Sequence, residues 1–167
     1  MDSKAVRQDS GHLWIRTLPQ SGEFAPVPHD FRLIGGNDAP SLGRLFFTAF
    51  KDTVDDTGQT ETDYVAKALA ILDGRYGDCI SAASWVFEHY DKISSACIVT
   101  DYKPYGCPVI AIVATAPSEQ GTGRAGNLVR ASLASLMSLG YRQCCAKISD
   151  GNVASNHLFA RCGFVPT

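Results

Sequence analysis

The sequence predicts one α/β unit, a mixed and largely antiparallel sheet flanked by helices. Three observations lead there. Residues 109–113 (VIAIV) are an apolar, β-branched run of the length of one buried strand, and they pass through Pro117 and a glycine-rich turn into an amphipathic helix. Residues 80–89, 93–101 and 107–116 read as three strands joined by the short turns 90–92 and 102–106. Connections that short pair neighbouring strands antiparallel. Helical periodicity precedes and follows this meander, so helices must cover the sheet.

Composition bounds the function. A chain of 167 residues with 45% apolar content can fill one core. The net charge of −2, with both signs mixed, provides no basic footprint for nucleic acid or an anionic membrane. No apolar run approaches the roughly 18 residues that span a bilayer, and the first residues lack the apolar centre of a signal peptide. Cys79, Cys97, Cys107, Cys144, Cys145 and Cys162 form no CxxC pair. They are expected as reduced thiols of a cytoplasmic protein, with neither a disulfide framework nor a metal site.

In chain order, residues 1–10 are polar and expected to fray. Residues 12–18 alternate as a short strand within an N-terminal extension, 1–28, and proline-rich loop follows to His29. The single domain, 29–167, opens with a strand at 31–34 closed by Gly35-Gly36. Asn37 or Asp38 can cap a helix through Phe50 that turns Leu42, Leu45, Phe46, Ala49 and Phe50 inward. A polar run with Asp52, Asp55 and Asp56 leads to a second helix with apolar positions Val65, Ala68, Leu69 and Leu72. After the meander come a helix at 124–139, a strand at 143–148 and a helix at 154–162. Gly163-Phe164-Val165 begins a last strand that the chain hardly has room to make.

The turn 120–126 (QGTGRAG) presents free N–H groups at a helix N-terminus, and the helix dipole adds partial positive charge. Its natural guest is a phosphate. Glycine lets an anion approach the amides and adopts positive φ. Gly121, Gly123 and Gly126 also spell the GxGxxG dinucleotide fingerprint, with Asp150 as a ribose-binding acid. That reading is discounted, because residues 117–120 separate strand from glycines and too little chain follows for further βα units.

Gln120-x-x-Gly123-x-Ala125, after a proline and a buried strand, resembles the Q/R-x-x-G-x-G/A loop of the GNAT-type N-acetyltransferase family. Residues 152–164, with Asn152, Ser155, Leu158-Phe159 and Gly163-Phe164, resemble that family's late element. The two motifs cover about the last third of the chain in the family's order. The resemblance implies the acyl-CoA N-acyltransferase fold and acetyl transfer from acetyl-CoA to an amine. The acceptor would be a small molecule or a peptide, and no metal would be needed. It further implies that backbone groups around Val113, Ala114 and Thr115 bind the pantetheine arm. Amides of Gln120, Gly121, Thr122, Gly123, Arg124, Ala125 and Gly126 would hold the pyrophosphate, with Asn152, Ser155 and Phe159 beside the pantetheine. Arg124 could add a charge-assisted contact; it is equally readable as a solvated first-turn residue.

Phe159 occupies the position where many relatives carry a tyrosine acid, and phenylalanine has no proton to give. Water, His157 or another tyrosine could substitute, or the thiolate could leave unprotonated. Glu88 and the Asp55/Asp56 pair are the candidate bases, although surface carboxylates are the commoner explanation of such residues. Asn152 also fits a helix N-cap, and Trp14 and Trp85 fit packing anchors. The second function class is a CoA-binding sensor without turnover; a nicotinamide-binding fragment is a third. Family members usually continue through a final hairpin strand. Its absence here suggests truncation, or a strand supplied by a partner, and an edge through which a homodimer could pair.

Overall fold

The computed structural model describes residues 11–167; the fraying expected for 1–10 lies outside the described residues. The elements are β1 (Gly11–Thr17), β2 (Phe31–Leu33), α1 (Ala39–Phe50), α2 (Glu61–Leu72), β3 (Asp78–Cys79), β4 (Trp85–His89), β5 (Lys92–Asp101), β6 (Val109–Thr115), α3 (Arg124–Ser138), β7 (Gln143–Ser149), α4 (Val153–Arg161) and β8 (Val165–Pro166). They form one sheet of order β2-β4-β5-β6-β7-β1-β8, with β3 paired to β5. All pairings are antiparallel except β6 with β7. The mixed, mainly antiparallel sheet flanked by helices is the fold the sequence predicts.

Helices cover both faces. Leu128, Leu133 and Leu136 of α3 pack with Phe159 of α4 against Phe87, Cys97 and Ala146. On the other face, Leu42 and Phe46 of α1 and Ala68 and Ile71 of α2 pack against Val86, Ile98 and Ile112. The expected inward stripe of α1 is met, with Phe50 at the edge of the core. In α2 the stripe is corrected: Tyr64, Ala68 and Ile71 are buried, while Leu69 is 46% exposed. The spacing i, i+4, i+7 begins at an aromatic that counts as semi-polar in a hydropathy reading, and this turns the face. Among the described residues, no helix is long and apolar enough to cross a membrane.

Local chemistry sets the helix starts. Thr60 and Asp63 form a reciprocal capping box at α2. Asp38 sits at the N-cap of α1 without capping it, because its carboxylate accepts from the Gly35 N–H and from Arg32. Burial opposes its charge, yet these hydrogen bonds hold its pKa below the usual carboxylate value.

The strand expected at 80–89 is shorter, since Ser81–Ala83 is a 3-10 turn. The Ser84 hydroxyl donates to the Ile80 carbonyl and accepts from the Val99 N–H, replacing ladder bonds. A bulge in β6 leaves Ala111 unpaired, because Ile112 faces Ile98 and Ile110 faces Val99. Ile110 and Ile112 therefore enter opposite cores.

The end of the sheet departs from expectation. The N-terminal stretch supplies β1, which pairs with β7 along all its residues, and β8 joins its far edge. The slot beside β7 is thus filled by β1, from within the chain. All six cysteines are free, and burial pushes the Cys97 thiol up to about 12.

Candidate active site

The parallel pair β6–β7 registers only at Val109 and Cys145, and the Cys145 N–H donates to the Pro108 carbonyl. Beyond that point the strands diverge. Residues 110–115 of β6 keep β5 on one side and leave their other backbone edge facing a slit. The Ala111 bulge lies at the start of this divergence, where added twist turns β6 from its neighbour.

Two cavities occupy the slit. The inner one, about 490 Å³, is walled by Ile110–Val113, Ile148 and Ser149, with Ser155 and Phe159 from α4 and Phe50, Tyr64 and Lys67 from the other face. The outer one, about 830 Å³, runs from Val113, Ala114 and Thr115 to Gln120, Gly121, Gly123, Arg124, Ala125 and Gly126, and includes Asn152 and Ser155. These residues, read separately from the sequence, share one groove. Thr122 is absent from its lining; its hydroxyl donates to the Glu119 carbonyl and braces the turn.

The turn has the geometry of an anion site. Gly121 and Gly123 have φ of +78° and +82°, and a Cβ on either would meet nothing within 4 Å. Backbone conformation demands glycine there, and the space before it is open. Gly123 is the N-cap of α3, and no side chain caps the helix. The first-turn amides therefore point outward, as phosphate sites require.

The side chains divide differently. Arg124 already has partners: Nε lies 3.3 Å from Glu119, an Nη 3.3 Å from Asp30, and the guanidinium stacks 3.5 Å above the Phe87 ring. Arg130 and Arg161 line the same groove and escaped the sequence reading. Arg130 sits one turn beyond Gly126, an i, i+4 spacing that is the signal for it. Asn152 does two things. Its Oδ1 accepts from the Ser155 N–H, so the capping explanation holds, and its Nδ2 donates to Asp55 at 2.7 Å across the slit.

Glu88, the candidate base on β4, already has a partner. It bonds Arg32 at 2.7 Å beside Asp38 and lines neither cavity. Asp56 accepts from the Asp52 and Gly58 N–H groups, and these bonds lower its pKa and shape its own loop. Asp150 pairs with His12 at 3.2 Å outside the groove, leaving the dinucleotide reading without its acid. Phe159 is 6% exposed and meets Phe164 edge-on at 5.0 Å. His157 lines the outer cavity. Trp85 donates to Ser135 and Trp14 packs against the core, as anchors.

Known proteins share this fold. A GCN5-related N-acetyltransferase from Sphaerobacter thermophilus aligns with a TM-score of 0.68 at 15% identity, over 96% of this chain and 50% of its own. The chain thus spans about half the length of that protein. A ribosomal-protein-alanine N-acetyltransferase from Brucella melitensis aligns at 0.61 and 19% identity, over 81% and 83% of the two chains. A GNAT family acetyltransferase from the same organism, in complex with acetyl-CoA, aligns at 0.58 and 20%, over 82% and 85%. At such identities these likenesses speak for the fold. No curated protein gives a significant sequence match. The model of the acetyltransferase (GNAT) family matches residues 46–164, a span that holds both motifs and the two strands that splay, and the chain belongs to that family.

Proposed function

We propose that the chain transfers an acetyl group from acetyl-CoA to a primary amine by direct attack on the thioester. The observation that carries this is one continuous groove, running from the open edge of β6 to the uncapped amides of α3. An extended pantetheine arm is a strand-like partner for that edge, and a pyrophosphate suits the amides. Arg130 and Arg161 would add cationic contacts in the same groove.

In the reaction the amine lone pair attacks the thioester carbonyl, and a backbone N–H near Val113 or Ala114 polarises the oxygen. The C–N bond forms, the C–S bond breaks, and the thiolate leaves with the electron pair. Water takes the amine proton; Glu88 is engaged by Arg32 and lines neither cavity. Phe159 excludes water beside the sulfur and supplies no proton. Tyr64 is the tyrosine in the inner cavity, and burial with the fields of Asp56 and Asp55 raises its pKa, so it stays protonated.

A second reading, a CoA-binding module without turnover, draws support from Phe159 and from the Asn152–Asp55 bond across the slit. Calorimetric titration of acetyl-CoA into the protein and into Gly123→Val tests the groove. Micromolar binding to the intact chain should fall at least tenfold in the variant, because valine cannot take φ of +82° cheaply. Equal binding by both would remove the loop from the site. Thiol release with an amine panel then separates transferase from sensor.

A further inference from the structure

A third cavity continues the slit away from the cofactor groove. It measures about 520 Å³ and lies between the end of α2 and the start of β6. It shares Lys67, Ile110, Ala111 and Lys147 with the inner cavity, so the two meet over the β6 bulge. Its walls add Arg75 and three tyrosines, Tyr76, Tyr102 and Tyr105. Tyr102 and Tyr105 meet edge-on at 5.0 Å.

The charges are one-sided. The two joined cavities are lined by Lys67, Lys147 and Arg75 against one carboxylate, Asp55, which Asn152 already engages. Burial lowers the pKa of Lys67 more than the field of Asp55 restores it, so its ammonium is under-compensated. Thr100, fully buried in the wall of this cavity, has a hydroxyl with no partner among the described residues. Orphaned buried hydroxyls are uncommon and suit a polar ligand group.

We infer that the acceptor is a primary amine bearing an anionic group, such as a carboxylate, on an aromatic or apolar body. This rests on the transferase reading. The amine faces the thioester near Val113, Lys67 and Lys147 hold the anion, and the tyrosines cover the body. The two cavities meet over the bulge at Ala111, so the anion lies along the slit from the amine rather than on the same carbon. An ω-amino acid or an aminomethyl benzoate carries its amine and its carboxylate separated in this way. Nitrogen gains the acetyl carbon, sulfur leaves as thiolate, and the displaced proton passes to water.

The test compares 4-(aminomethyl)benzoate with benzylamine, which share a ring and an amine and differ only in the carboxylate. Coenzyme A release is followed with the intact chain, Lys67→Met and Arg75→Gln. The benzoate should exceed benzylamine at least tenfold in kcat/KM. The preference should shrink at least fivefold in Lys67→Met, through KM, and should weaken also in Arg75→Gln, whose exposed side chain makes misfolding no escape. Equal use of both amines, or preference for benzylamine, with acetyl-CoA bound normally, overturns the acceptor class and leaves the transferase reading standing. Failure of acetyl-CoA to bind overturns both. In that case, direct titration of 4-(aminomethyl)benzoate still reports whether the cavity holds anions.

Discussion

Phe159 lines the inner cavity, where the transferase reading calls for a proton donor, and it has none to give. Buried edge-on against Phe164, it is held by packing, and it borders the inner cavity. Phe159→Tyr is therefore expected to keep acetyl-CoA affinity and to raise turnover severalfold, as measured by thiol release. Loss of affinity would show that residue 159 is not beside the sulfur. Thr100 makes the opposite experiment. An unsatisfied buried hydroxyl costs about 1 kcal/mol or more, so Thr100→Val should raise Tm by roughly 2–4 °C in a domain of this size. If the hydroxyl serves the acceptor, KM for 4-(aminomethyl)benzoate should rise in the same variant. A Tm that falls would mean that the hydroxyl has a partner. The glycines of the loop and Phe159 were legible because their neighbours in sequence are their neighbours in space. The partner of Glu88 was not legible, because nothing local announces Arg32, which lies 56 residues away.

At the level of elements, α1 and α2 form the roof of the slit and depend on one glycine. A Cβ on Gly43 would come within 2.4 Å of Val65 Cγ2 and 2.5 Å of its Cα. Backbone stands in the way, so the helices must separate. Gly43→Ala gains helix propensity but should cost at least about 2 kcal/mol net, in the manner of overpacked cores. Because Tyr64 and Lys67 ride on α2, acceptor KM should rise while acetyl-CoA affinity, set by β6 and the α3 loop, changes less than threefold. A thermal melt with both titrations checks this. The existence of both helices followed from periodicity, and the Thr60 cap is readable in retrospect. The inward face of α2 was not, because Tyr64 is buried against Phe47 and Phe50, partners on another helix.

Across the whole molecule, the sheet is closed by residues from opposite ends of the chain. β1 pairs with β7 on one edge and β8 on the other, and Thr167 N–H donates to the Leu13 carbonyl. A variant lacking residues 1–18 should lose cooperative melting, since β7 would expose an unpaired edge and β8 would have no partner. Two-state melting near the temperature of the intact chain would show that β1 is dispensable. β7 also forms the second wall of the slit, so acetyl-CoA binding should fail in that variant along with the fold.

The linear pattern by itself determined the strands and helices, the antiparallel meander, the glycine-rich turn at a helix start and the family resemblance. All of these are written in periodicity, glycine placement and short connections. Tertiary structure decided which edge β1 takes, that Arg124 is tied to Glu119 and Asp30, and that Lys67, Arg75, Lys147 and Thr100 surround one space. The reason is the range of the interactions. Backbone hydrogen bonding and side-chain alternation are local and leave a repeating trace. Charge pairing and cavity walls join residues far apart in the chain, and no spacing records their meeting.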